Sequence, residues 1–181
     1  MNLPNKLTVA RVIAVPFFVI AYLLGPKFLW CFWAALVLFI AASFTDMLDG
    51  KIARKRNLVT NFGKIMDPLA DKILVYSAFC LMVGDGTVPG WMFIVILARE
   101  FAVSGMRTVA ASEGIVIAAG MSGKIKTVLQ MIAVPVLILA HALPQFGIIM
   151  IIGQVFLWAS LIMTIYSGIE YISKNRKVFS Q

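Results

Sequence analysis

Six apolar segments, separated only by short polar breaks, run through this chain and decide what it can fold into. They extend approximately over Leu7–Leu24, Phe28–Phe44, Leu69–Val83, Trp91–Ala111, Lys126–Ala140 and Phe146–Ile172. A helix needs roughly 20 apolar residues to cross the hydrocarbon core of a bilayer, so a chain of this length holds about six spans with short connections. Residues are 61% hydrophobic and 13% charged, whereas a soluble domain averages about half apolar and a quarter charged. The expected fold is therefore all-α and integral to the membrane. It has six transmembrane helices and a short N-terminal interfacial segment. No internal repeat, low-complexity tract or linker divides residues 1–181, so one membrane domain is expected.

The breaks Gly25-Pro26-Lys27, Gly84-Asp85-Gly86 and His141-Ala142-Leu143-Pro144 are short enough to make consecutive spans antiparallel neighbours. Up-and-down threading sorts the charges. Lys6, Arg11, Lys51, Arg54, Lys55, Arg56, Lys64, Lys124, Lys126, Lys174, Arg176 and Lys177 collect on one side, and Lys27 falls on the other. The positive-inside rule then places both termini in the cytoplasm. The opening Met1-Asn2-Leu3-Pro4-Asn5-Lys6 has no small-residue cleavage site after a short apolar core, so the first apolar run is expected to be a span rather than a leader. The net charge of +8 gathers at span ends. Anionic lipid and an anionic substrate are thus the expected partners, and nucleic acid is not. Cys31 and Cys80 both lie in apolar runs and read as core or lipid-facing residues, not as a disulfide.

Half of the acidic residues fall into one pattern: Asp46-x-x-Asp49-Gly50-x-x-Ala53-Arg54, eight residues, then Gly63-x-x-x-Asp67-x-x-x-Asp71. Spacings of three and four put each aspartate pair on a single helix face. The pairs lie at the end of the second span and the start of the third, joined by a glycine-bearing connection. Four carboxylates at a membrane boundary call for a counter-charge. Hard oxygen donors suit Mg²⁺, Mn²⁺ or Ca²⁺ rather than zinc, and the single histidine, His141, falls on the opposite side. Gly50 and Ala53 keep the face open to a ligand, and Arg54 offers a planar fork for phosphate. A plainer account is a salt-bridged helix pair with Lys51, Arg54, Lys55, Lys64 and Lys72 as partners. It does not explain two same-face pairs flanking small residues. The constellation describes metal-assisted phosphoryl transfer.

The pattern resembles, at every fixed position, the signature of the CDP-alcohol phosphatidyltransferase family. That resemblance implies six transmembrane helices, frequently as a homodimer, in the bacterial cytoplasmic membrane with the site facing the cytoplasm. It implies two metal ions, Mg²⁺ or Mn²⁺, held by Asp46, Asp49, Asp67 and Asp71, with Asp71 also as the base that deprotonates the acceptor hydroxyl. Asp49, Gly50, Ala53 and Arg54 would contact the CDP group. The opening Asn2-Leu3-Pro4-Asn5-Lys6-Leu7-Thr8-x-x-Arg11 is similar to the amino-terminal stretch of family members and adds Asn2, Pro4 and Thr8 to the CDP side.

The acceptor alcohol has to be read outside the signature. Arg99, Glu100 and Arg107 lie within the fourth apolar segment, where charge signals function. Eight helical residues put Arg107 about 12 Å nearer the cytoplasmic face than Arg99. Lys124 and Lys126 enter from the fifth segment on the same side. Cations around an acidic metal centre suggest an anionic acceptor such as a phosphomonoester. The competing account pairs Arg99 with Glu100, Asp71 or Glu170 and lets the lysines snorkel to headgroups. Ala98-Arg99-Glu100, Arg107 and Gly123-Lys124-x-Lys126-Thr127-x-x-Gln130 resemble the branch of the family that joins CDP-diacylglycerol to glycerol 3-phosphate. Arg99, Arg107 and Lys126, with Lys124, are the residues expected to bind the acceptor phosphate. Serine, inositol phosphate or phosphatidylglycerol remain alternative acceptors, and a small divalent-cation transporter is the alternative from another class. Beyond Gln130 the last two spans carry little signal and read as scaffold.

Overall fold

The computed structural model describes residues 3–55, 61–112, 114 and 120–175, with side chains over 8–45, 69–70, 72–112, 114 and 120–175. The described residues form six α-helices and no strand: α1 Leu3–Leu24, α2 Trp30–Lys55, α3 Asn61–Gly84, α4 Gly90–Ser112, α5 Met121–Ala142 and α6 Gly147–Lys174. Apolar segments adopt this form because a helix pairs its backbone polar groups within itself, so none is left unsatisfied in hydrocarbon.

α3 and α5 stop where the sequence withdraws a backbone partner or demands a turn. After α3, Gly86 adopts φ 81°, and Asp85 Oδ1 accepts from Thr87 N at 2.9 Å to close the turn. After α5, Leu143 leaves helical geometry and Pro144 cannot extend the ladder. At the other end of the bundle the helices outrun the apolar segments. α2 continues to Lys55 and α3 already begins at Asn61, so Gly50 and Gly63 both sit inside helices. The glycine-bearing connection expected between the aspartate pairs is therefore corrected: the signature is helical on both sides of residues 56–60. The N-terminal segment likewise is not separate, because α1 runs unbroken from Leu3.

Packing is organised around α5, which lies against α6, α2 and α3, while α1 packs on α2 and α3 and α4 rests mainly on α6. Phe18, Phe39, Phe79, Met82, Met92, Ile96, Leu137 and Leu157 are buried in the shared core. The α5–α6 approach depends on Gly153, where an added Cβ would stand 2.6 Å from Leu137 Cδ2.

Outward faces are equally apolar. Ile13, Phe17 and Ile20 on α1, Val37, Ile40 and Phe44 on α2, and Ile148, Val155, Ile162 and Ile169 on α6 are all exposed. Such continuous apolar surface belongs against lipid, not water. α5 and α6, at 22 and 28 residues, are long and apolar enough to cross a membrane, and shorter apolar stretches run over Thr8–Leu24, Trp30–Thr45 and Lys72–Gly84. Buried Cys31 and exposed Cys80 are both free thiols, as their apolar settings implied.

Polar contacts gather at the two ends of the bundle. At one end Tyr22 OH donates to Asp85 Oδ2 at 2.6 Å, and Thr87 Oγ1 lies 2.9 Å from His141 Nε2. Gln154 Nε2 donates to the Thr87 carbonyl at 2.7 Å, and the His141 ring stacks on Phe32 with centroids 5.2 Å apart. These contacts clamp α1, α2, α5 and α6 to the α3–α4 turn. His141 is thus occupied at the end opposite the aspartate helices' junction.

Candidate active site

At the other end, α3, α4, α5 and α6 surround a cavity of about 560 Å³. Helical periodicity explains who reaches it. Arg99, Val103 and Arg107 recur every four residues on α4, with Glu100 and Ser104 beside them, so one face carries the whole set. On α6, Ser167, Glu170, Tyr171 and Lys174 follow the same three- and four-residue rhythm into the cavity. Among the described residues the lining holds six cationic side chains, Lys72, Arg99, Arg107, Lys124, Lys126 and Lys174, against the two carboxylates Glu100 and Glu170. The cavity is built for negative charge.

Glu100 is the hub of the inner wall. Its carboxylate accepts from Lys126 Nζ of α5 and from Arg99 Nη1 at 3.3 Å, and lies 3.4 Å from Lys72 Nζ of α3. Lys72 also donates to Ser104 Oγ at 2.7 Å. Lys126 is only 4% exposed, and a buried ammonium is tolerated there because a carboxylate faces it.

Arg99 threads between α5 and α6. Its Nη2 donates to Ser167 Oγ at 3.0 Å. Glycine on both sides makes the passage: added Cβ atoms at Gly123 and Gly168 would come within 3.4 Å of Nη2 and 3.1 Å of Cγ. Arg99 Nε and, one turn beyond Lys126, Gln130 Nε2 are buried donors without a partner. Arg107 reaches the rim, where its Nε donates to Tyr171 OH at 3.2 Å and its guanidinium carbon stands 5.5 Å from the Tyr171 ring centroid. Glu170 is held by Ser122 Oγ and by Lys174 Nζ, each at 2.5 Å.

The structure therefore brings together the four cations expected for the acceptor phosphate, Arg99, Arg107, Lys124 and Lys126. Of the ion-pair partners considered for Arg99, Glu100 pairs with it and Glu170 turns to Lys174 instead, while the Asp71 side chain lies outside the described residues. One expectation is corrected: α6 is not mere scaffold, since Ser167, Glu170 and Tyr171 form one wall. The signal was present: Ser160, Thr164, Ser167 and Tyr171 make a polar stripe along an otherwise apolar helix. Lys72, read only as a partner for the aspartate helices, also lines the cavity.

Asp46, Asp49, Gly50, Ala53 and Arg54 lie on the last turns of α2, and Asp67 and Asp71 on the first turns of α3. Their side chains, like those of Asn2 and Pro4, fall outside the described residues. Lys72 follows Asp71 directly, so the start of α3 meets the cavity end of the bundle. Thr8 is buried in α1.

A helical membrane bundle with a cation-lined cavity beside this aspartate signature defines a class. The chain belongs to the CDP-alcohol phosphatidyltransferase family, whose sequence profile matches residues 1–166. Among its relatives, a CDP-diacylglycerol–glycerol-3-phosphate 3-phosphatidyltransferase from Bacillus subtilis (strain 168) is 48% identical, covering 96% of this chain and 95% of the relative. A protein of the same name from Rickettsia felis is 38% identical over 98% of this chain and 97% of its own length. The probable phosphatidylglycerophosphate synthase of Mycobacterium tuberculosis (strain ATCC 25618 / H37Rv) is 33% identical over 96% of this chain and 81% of its own.

Proposed function

We propose that this protein transfers the phosphatidyl group of CDP-diacylglycerol to sn-glycerol 3-phosphate, forming phosphatidylglycerol phosphate and CMP in phospholipid biosynthesis. The observation that carries the choice of acceptor is the cavity in which Lys72, Arg99, Arg107, Lys124 and Lys126 converge. An acceptor that bears a phosphomonoester uses these cations, whereas serine has no need of them. The names of the relatives at 48% and 38% identity agree with this reading.

Arg99, Arg107, Lys126 and Lys124 hold the acceptor's phosphate and orient its free hydroxyl toward the aspartate helices. That hydroxyl oxygen attacks the phosphorus on the diacylglycerol side of the diphosphate. The bond from this phosphorus to the CMP oxygen breaks, CMP leaves with the bonding pair, and the hydroxyl proton passes to the Asp71 carboxylate. Gly50 and Ala53 give the CDP group close access to α2, Arg54 and Asp49 contact it, Pro4 and Thr8 approach from α1, and Asn2 joins them on the family resemblance.

The donor set suits hard divalent cations, because four aspartates on two consecutive helices supply only carboxylate oxygens. Asp46, Asp49, Asp67 and Asp71 would hold Mg²⁺ or Mn²⁺, two ions per site. When bound, the ions supply positive charge to the diphosphate and stabilise the charge that develops on departing CMP.

Six membrane spans, both termini in the cytoplasm and an active site facing the bacterial cytoplasm follow from the charge sorting along the sequence. Residues 1–181 act as one domain, and a homodimer is proposed on the family resemblance. A divalent-cation path is the weaker reading, since the described lining of the cavity holds six cations against two carboxylates.

CMP release by the purified protein in detergent, with CDP-diacylglycerol and Mg²⁺ and each acceptor offered in turn, tests the assignment. Turnover is expected with glycerol 3-phosphate. Turnover with serine, inositol phosphate or phosphatidylglycerol in its absence overturns it.

A further inference from the structure

Two of the cations assigned to the acceptor's phosphate, Arg99 and Lys126, are already engaged, together with their neighbour Lys72. Lys72, Arg99 and Lys126 come from three different helices, and all three direct their charge at the single carboxylate of Glu100. Lys126 Nζ and Arg99 Nη1 share the same oxygen, Oε2, while Lys72 Nζ faces Oε1. Burial explains why a carboxylate has to stand there. Lys126 is 4% and Arg99 11% exposed, and cations so shielded from water need a counter-charge.

An acceptor phosphate entering the cavity brings negative charge to the same donors. Two anions on shared donors repel each other, and one of them has to give way. Glu100 is the one able to do so. It is 17% exposed, lines the cavity itself and sits on a flexible two-methylene stem.

We propose that Glu100 is the internal counter-ion of the acceptor pocket: it neutralises Lys72, Arg99 and Lys126 while the pocket is empty and yields them to the acceptor's phosphate. The inference rests on the acceptor being a phosphomonoester. It also makes Glu100 a determinant of specificity. A monoanion entering the pocket exchanges one single charge for another and gains little. A neutral or zwitterionic acceptor has nothing with which to displace the carboxylate. A dianionic phosphate gains the difference.

The test measures binding of inorganic phosphate, and separately of acetate, to the full chain in detergent at pH 8, by calorimetry and by thermal unfolding. Glu100→Gln is expected to bind phosphate about tenfold more tightly than the wild type, since the incoming anion no longer displaces a charge. Acetate is expected to stabilise Glu100→Gln and leave the wild type unmoved. In turnover, KM for glycerol 3-phosphate falls in parallel while KM for CDP-diacylglycerol is unchanged. Glu100→Asp keeps the charge on a shorter stem and serves if the neutral variant does not fold; it too is expected to bind phosphate more tightly than the wild type. Weaker or unchanged phosphate binding in these variants overturns the counter-ion role, and shows instead that Glu100 holds the cations in place for the anion. A wild type that neither binds phosphate nor turns over glycerol 3-phosphate overturns the acceptor assignment along with it. Phosphate binding by the wild type with no response in the variants overturns the counter-ion role alone.

Discussion

The aliphatic stem of Arg99 crosses α6 at Gly168, so closely that a Cβ on residue 168 would stand 3.1 Å from Arg99 Cγ. The pair explains how an arginine in the middle of an apolar helix reaches the cation-lined cavity. The absence of a side chain on α6 leaves the passage, and Ser167 beside it fixes the guanidinium at 3.0 Å.

Gly168→Ala is accordingly expected to push Arg99 off its line without unfolding the bundle. A neighbour shifted by a few tenths of an ångström in a charge-assisted contact costs about 1 kcal/mol, or roughly fivefold in affinity. Steady-state kinetics should show KM for glycerol 3-phosphate rising by that factor, with KM for CDP-diacylglycerol unchanged. An equal rise in both would mean that α6 has moved as a whole.

Tyr171 positions Arg107 in two ways, through its hydroxyl at 3.2 Å and its ring at 5.5 Å. Tyr171→Phe keeps the ring and loses the hydroxyl, at a cost of about 1 kcal/mol. Tyr171→Ala loses both. KM for the acceptor is therefore expected to climb in the order wild type, Phe, Ala. A Phe variant as impaired as the Ala variant would assign the whole effect to the hydrogen bond.

Lys126→Ala removes the most deeply buried cation of the pocket, and KM for glycerol 3-phosphate should rise about 10- to 100-fold, as for other desolvated charge contacts. The lipid substrate should notice far less. Equal rises for the two substrates would take Lys126 out of the acceptor pocket.

Asp67→Ala is expected to abolish CMP release, and excess Mg²⁺ should not restore it, because a missing ligand cannot be replaced by mass action at a multidentate site. Chelation of the wild type should abolish activity reversibly. Thermal unfolding of the variant in detergent distinguishes loss of chemistry from loss of fold. Full activity in chelator would sink the metal-assisted mechanism.

The clamp at the opposite end should matter to stability alone. Tyr22→Phe deletes the 2.6 Å hydrogen bond to Asp85 and leaves that carboxylate with one partner fewer, which costs about 1–3 kcal/mol. The melting temperature should drop while KM for both substrates holds. A changed KM would show that the two ends of the bundle are coupled.

By itself the sequence determined everything that depends on neighbours along the chain. Apolar segments specify the six helices, and the breaks at Gly84-Asp85-Gly86 and Leu143-Pro144 mark where α3 and α5 stop, because the backbone must satisfy its own polar groups in hydrocarbon. Spacings of three, four and eight put Asp46 with Asp49, Asp67 with Asp71, and Arg99 with Arg107 on common faces, because a helix turns every 3.6 residues. The aspartate signature, legible to the residue, carried the family. Only the tertiary structure decided which cations share a pocket and what holds them. Arg99 meets Ser167 across 68 positions, Arg107 meets Tyr171 across 64, and Lys126 meets Glu100 across 26. A helix that is apolar all round has no face marked as inner by its hydrophobicity. Close packing at Gly153 and Gly168 and the pairing of buried charge select the face instead. Those are contacts between helices, and no spacing within one helix encodes them.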